Sequence, residues 1–162
     1  MSLIPTNGAK IYIGEAKAFT GTDFVASDFT SGSPVWTEIK GSTNLGAIGG
    51  TKALITSEVI DSKYTRKAVG TRNSGGMQVV FDRNPADAGQ IALIAANNAN
   101  PALSHAFRIE FNDAPEGGTP STRYFVAFVM SAEEQLNSAN NQIALNSTLE
   151  IDGNVVPVAA AA

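Results

Sequence analysis

Apolar side chains recur at every second position through much of this 162-residue chain, and that period constrains the fold more than any other feature. In HAFRIEFND, residues 105–113, Phe107, Ile109 and Phe111 alternate with Arg108, Glu110 and Asn112. In QIALNSTLEIDG, residues 142–153, Ile143, Leu145, Ser147, Leu149 and Ile151 alternate with Ala144, Asn146, Thr148 and Glu150. Successive side chains of a strand point to opposite faces, so this pattern describes strands with one buried face. KIYIG (10–14), VWTEIK (35–40) and GMQVVFDR (76–83) read as further strands, the last with Met77, Val79 and Phe81 on one face. ALITSEVI (53–60) and YTRKAVG (64–70) read as a hairpin turning at Asp61–Ser62–Lys63. RYFVAFVMS (123–131) is apolar on both faces, as a covered strand should be. VVPV is expected to pair back across a turn at Asp152–Gly153–Asn154.

One segment breaks the period. NPADAGQIALIAANN, residues 84–98, predicts a helix with Asn84 as N-cap, Pro85 at the first helical position and Asp87 in the first turn. Ala88, Ile91, Ala92 and Ala95 form its expected packing stripe, and Gly89 lowers its helix propensity by about 1 kcal/mol relative to alanine. Seven or eight strands and one helix predict a mainly β fold. The expected form is an antiparallel β-sandwich or open barrel with one flanking α-helix, a single domain over 1–162.

Two stretches fit no element. Residues 15–34 carry Phe19, Phe24 and Phe29 five apart, a spacing of neither helix nor strand, and are read as a loop or insertion pinned by aromatic anchors. GSTNLGAIGGTKA, residues 41–53, has four glycines and one charge, and sets Leu45 and Ile48 on a flexible connection with no obvious place to bury them. Hairpins usually need only two to five residues to turn.

The chemistry-bearing residues are few. There is no cysteine, which removes disulfides and thiolate metal sites. His105 is the single histidine and opens an alternating strand, which suits a structural or solvated role better than metal binding or a triad, and no G-x-S-x-G elbow accompanies it. GTRNSGG lacks the Lys–Ser/Thr pair of a phosphate loop, Asp23 and Asp28 lack calcium-loop spacing, and Glu133–Glu134 reads as a solvated pair. No catalytic residue, metal or cofactor is expected. The net charge of −4 lacks the basic footprint of a nucleic-acid binder. No run of about 18 apolar residues suggests a membrane span, and MSLIPTNGAK lacks the basic and apolar regions of a leader. Charged residues make up 16% of the chain against about 25% in a typical domain, so part of the surface is expected to be covered by partners.

The order of elements then carries a resemblance. ALITSEVIDSKYTRKAVGTRNSGGMQVVFDRNPADAGQIALIAA resembles the central block of the major tail tube proteins of long-tailed, siphovirus-type bacteriophages. HAFRIEFNDAPEGGTPSTRYFVAFVMS, QIALNSTLEIDGNV, NGAKIYIG and WTEIKGSTNLGAIGG are similar to its other blocks, and 15–34 fits least well. The resemblance implies a β-sandwich subunit that forms hexameric rings stacked into a tube. Its partners would be further copies of itself, the tape measure protein, and tail terminator and tail-tip proteins. Genomic DNA would pass through the lumen without specific binding. The protein would be made in the host bacterial cytoplasm and end in the virion tail, with no membrane partner.

Under that resemblance, residues 40–53 are expected to be an inter-ring arm. Gly41, Asn44, Leu45, Ile48, Gly49 and Lys52 would lie at subunit contacts, with Leu45 and Ile48 buried on a neighbour. Glu58, Asp61, Asp82, Glu110 and Glu150 are candidates for an acidic lumen that repels phosphate, and Arg66, Lys67, Arg108 and Arg123 for compensating charges at subunit contacts. A tube protein of a contractile tail or secretion system, or a tail terminator, would show the same strand order. A β-sandwich binding module is the third reading.

Overall fold

Where side chains alternate, strands form. In the computed structural model of the chain, which describes residues 3–162, the elements run β1 (Lys10–Ala16), α1 (Ser27–Thr30), β2 (Thr37–Ile39), β3 (Ser42–Asn44), β4 (Thr51–Ser57), β5 (Arg66–Asn73), β6 (Gly76–Asp82), α2 (Ala88–Asn98), β7 (His105–Glu110), β8 (Thr122–Gln135) and β9 (Ala144–Val158). Seven strands make one antiparallel sheet in the order β2-β1-β7-β8-β9-β6-β3, and β4 and β5 pair only with each other. The fold is mainly β and antiparallel with few helices, as the alternation predicts.

The connection between β2 and β3 closes the sheet. These strands stand at opposite edges, yet only Lys40 and Gly41 separate them in sequence. Six inter-strand gaps of a flat sheet would span about 29 Å. Three Cα–Cα steps reach about 11 Å at most. The sheet therefore curls into an open barrel until its edges approach. Asp82 N, at the end of β6, donates to Gly41 O at 2.8 Å. The Gln90 side chain bridges the seam, its Nε2 donating to Lys40 O at 3.0 Å and to Asp82 O at 2.8 Å. Gln90 is fully buried, and its Oε1 accepts from Asn84 N and from Arg83 Nη1.

The barrel interior is the main core. Phe81, Phe107, Phe125, Ile11, Ile39, Leu145 and Leu149 fill it from six strands, and α2 adds Leu93 and Ala96. The stripe expected on α2 is corrected: Gly89, Gln90, Leu93 and Ala96 face inward, whereas Ile91 is 52% exposed and Ala88 and Ala95 are also exposed. The helix is apolar on every side, so its pattern alone does not choose a face; Gly89 does. A Cβ there would strike the backbone of Glu38 and Ile39, so glycine lets α2 lie against β2. The cap is corrected too. Asp87 is the N-cap, its carboxylate accepting from Gln90 N at 2.9 Å, while Asn84 and Pro85 belong to the preceding turn.

A smaller core lies on the other side of β7, β8 and the end of β9. Phe24 and Phe29 pack there with Ala106, Tyr124, Val126 and Val156. Glu15 and Ala16 still belong to β1, and residues 17–34 are a cover for the outer sheet face whose phenylalanines form a chain: Phe19 against Phe24, Phe24 against Phe29, and Phe29 stacked on Tyr124 at 5.3 Å. The Asn154 amide clamps this segment by accepting from Phe24 N and donating to Phe24 O. Burial of β8 on both faces follows. The turn expected at Asp152–Gly153–Asn154 is instead a bulge within β9, whose register against β8 shifts between Tyr124 and Val126, with Gly153 at φ +84°.

Candidate assembly surfaces

The chain's unfilled chemistry is on its surface. Among the described residues, no group of three His, Cys, Asp or Glu side chains is placed to hold a metal ion. The feature that stands out is the β4–β5 hairpin. Every residue of both strands is exposed except the partly buried Gly70. Leu54, Ile55 and Val69 are 65%, 53% and 67% exposed, and the tip carries Val59, Ile60 and Tyr64 in the open. Neither long edge of the hairpin is paired to the barrel.

The pairing register sorts the hairpin into two faces. Lys52 lies opposite Arg72, Leu54 opposite Val69, and Thr56 opposite Lys67; these six share one face, with three cations and no acid around an apolar pair. The other face carries Ala53, Ile55, Ala68 and Arg66. A bulge on the β5 side keeps the faces aligned through the register shift between Lys52 and Leu54.

The expected arm at 40–53 is placed differently. Ser42 and Asn44 belong to β3 and pair with Phe81 and Val80. Leu45 and Ile48 are partly buried against the chain's own core, beside Met77 in a cleft of about 350 Å³ that Ile4, Pro5 and Phe111 also line. The apolar residues of this loop thus pack in part within the chain, because closing the barrel draws them across its end. Gly41 at φ +83° makes the turn at the seam, and Gly49 at φ +155° leads into the hairpin. Of the six residues, Lys52 alone stands on the projecting hairpin.

The lumen candidates fall in three places. Glu58 and Asp61 lie at the hairpin tip, exposed. Glu110 is held by its neighbours, accepting from the Tyr12 hydroxyl at 3.1 Å and pairing with Arg108 at 3.1 Å. Asp82 and Glu150 share the outer face of β6 and β9. Glu133 on β8, read from sequence as merely solvated, joins them there, opposite Asn146. The rows of this face are Gly76–Glu150–Phe128, Gln78–Thr148–Ser131, Val80–Asn146–Glu133 and Asp82–Ala144–Gln135, which hold three acids and no cation. Met130, 62% exposed, sits at the β8 bulge between the first two rows.

The four compensating cations also divide. Arg66 and Lys67 are exposed on the hairpin. Arg108 is sandwiched between the Tyr12 and Trp36 rings, 4.1 and 5.2 Å from their centroids, and Arg123 lies 4.8 Å over Phe111. These two are engaged inside the chain, where flat guanidinium groups stack on aromatic faces. Burial, and then the Glu110 carboxylate, raise the Tyr12 phenol above its ordinary pKa of 10.0.

No protein-family model and no curated protein matches this chain. Solved structures do. It is similar to a chain in the cryo-EM structure of the PVC sheath/tube terminator, an extracellular contractile injection system in its extended state, with a TM-score of 0.67, 15% identity and coverage of 98% of this chain and 99% of that one. It is similar to a chain of the anti-feeding prophage baseplate, with a TM-score of 0.69, 10% identity and 98% coverage of both. It is also similar to the SPP1 tail tube protein, with a TM-score of 0.59, 14% identity, and coverage of 96% of this chain and 80% of that one. The likeness at these identities is one of fold: the chain has the architecture found in tube, terminator and baseplate proteins of phage-like systems.

Proposed function

We propose that this chain is a structural subunit of a phage-type tail tube or a related injection tube, and that the β4–β5 hairpin is the arm joining one copy to the next. The observation that carries the reading is the hairpin itself: among the described residues, apolar side chains on both of its faces and at its tip stand exposed. Exposed apolar patches with free strand edges mark surfaces that another chain covers. Contacts between two different patches of identical subunits generate rings or filaments. In this reading the subunits form hexameric rings that stack, and the tape measure protein, terminator, tip proteins and passing DNA are the partners. The assembled protein resides in the virion tail after synthesis in the host cytoplasm. Six copies at −4 each give a ring of about −24, a charge that keeps DNA from adhering as it slides.

A second reading has its own support. The likeness to contractile-injection chains combines TM-scores of 0.67 and 0.69 with nearly complete coverage of both partners, against 0.59 and 80% for the SPP1 tube protein. That favours a terminator or baseplate ring over a tube, since a chain of the PVC sheath-tube complex, with a TM-score of 0.58, fits no better than the SPP1 protein.

Negative-stain electron microscopy at rising protein concentration, with sedimentation velocity, tests both. Hollow tubes with six-fold end views are the expected result. Single rings that never stack would favour the terminator or baseplate role. A chain that stays monomeric at every concentration, including in the presence of preformed rings, would overturn the assembly reading.

A further inference from the structure

The charge of this chain is unevenly divided. Residues 51–73 carry five cations (Lys52, Lys63, Arg66, Lys67 and Arg72) and two acids (Glu58 and Asp61), a net of +3. The whole chain carries −4, so the remainder carries −7. A basic arm thus projects from an acidic body. The arm meets that body in its own chain at the base, where Arg72 and Asn73 line a cleft with Asp23 and Asp152; beyond it both strands are exposed and form a separate sheet.

We propose that the Lys52–Arg72 face of the hairpin docks on the outer face of β6, β9 and β8 in a second copy, with Glu150 and Glu133 as the principal charge partners. This inference rests on the tube-subunit reading and adds to it the identity of the receiving surface. Spacing supports the match. On the arm, the Lys52/Arg72 row and the Lys67 row are four β4 residues apart, about 14 Å, with Leu54 and Val69 between them. On the body, the Glu150 row and the Glu133 row are four β9 residues apart, again about 14 Å, with Met130 between them. Cations then meet acids at both ends while the apolar pair meets Met130. Asp82, one row beyond Glu133, extends the acidic field. The four rows of the receiving face contain no cation to oppose the arm, and the arm's face contains no acid. Complementarity of this kind sets register and partner choice, and weakens with salt.

The test is a charge swap read by sedimentation velocity and electron microscopy. Lys67→Glu with Arg72→Glu on the arm, and Glu133→Lys with Glu150→Lys on the body, should each raise the critical concentration for assembly about tenfold or more. A mixture of the two variants, or one chain carrying all four changes, should recover assembly. Added salt should weaken wild-type assembly in the same direction. Circular dichroism melts confirm that the variants fold, since all four positions lie outside both cores. Wild-type assembly that both swaps leave unchanged overturns this contact while the tube-subunit reading stands, and returns the acidic face to the lumen. Swaps that each abolish assembly without rescue by mixing or combination also overturn the pairing. If wild type itself never assembles, the tube-subunit reading fails first.

Discussion

Gln90 shows how much a single side chain can hold in this fold. It is a polar residue with no exposure, and each of its polar atoms has a partner at the barrel seam. Gln90→Leu keeps the volume but leaves the Lys40 and Asp82 carbonyls and the Asn84 amide without it. An unsatisfied buried polar group costs about 1–3 kcal/mol. The variant should therefore lose about 3 kcal/mol or more in urea unfolding, and a loss below about 1 kcal/mol would mean that the seam closes without it. Tyr12 makes a pH prediction. Its phenol pKa is raised in the fold by burial and by Glu110, so the folded state favours the neutral ring. That stability is whole below the ordinary pKa of 10.0 and is lost as pH rises through the raised folded value. Tyr12→Phe should flatten the alkaline fall in melting temperature relative to wild type; an identical fall in both would show that other groups govern it.

At the scale of elements, the hairpin and the loop before it have opposite duties. Residues 42–48 complete the barrel, through β3 and through Leu45 and Ile48 against the core. Residues 51–73 form a sheet of their own. Replacing 51–73 by a short glycine–serine link should leave a cooperatively melting monomer that forms neither rings nor tubes. Removing 44–50 should instead broaden or abolish the melt. An excised-hairpin chain that still makes normal tubes would show that assembly lies elsewhere. The two helices differ in the same way. α2 is held by Gly89 and Gln90 at the seam, whereas α1 belongs to the 17–34 cover that Asn154 and the phenylalanine chain fix in place.

At the scale of the whole molecule, two cores flank one curled sheet and one arm leaves it. The low charged fraction of 16% is consistent with a surface that assembly covers in part. In the proposed contact, the division of charge between arm and body is what makes one copy complementary to the next. A head-to-tail contact of this kind has no internal limit, so under the proposed function the angle between arm and receiving face would set ring closure.

Sequence alone determined most strands of the barrel, because period two is a local property that each of those segments carries in full: Met77, Val79 and Phe81 inward, Leu145, Ser147 and Leu149 inward, and 123–131 of β8 apolar on both faces; β3 lies in the glycine-rich stretch that lacks the period and was not legible. It also carried an order of elements that matches tube-like folds. It did not determine which face α2 buries, since alanine and isoleucine surround that helix and only the close approach to Glu38 chooses. Nor did it separate loop from arm. Leu45 on a glycine-rich connection looks unpartnered until the barrel closes over it, while ALITSEVI and YTRKAVG look like ordinary sheet strands. The imbalance of five cations to two acids over 51–73 was the available signal. Tertiary structure decided these points because they depend on which segments meet when β2 and β3 are forced together, and that meeting is set by the chain length between them rather than by any residue's own preference.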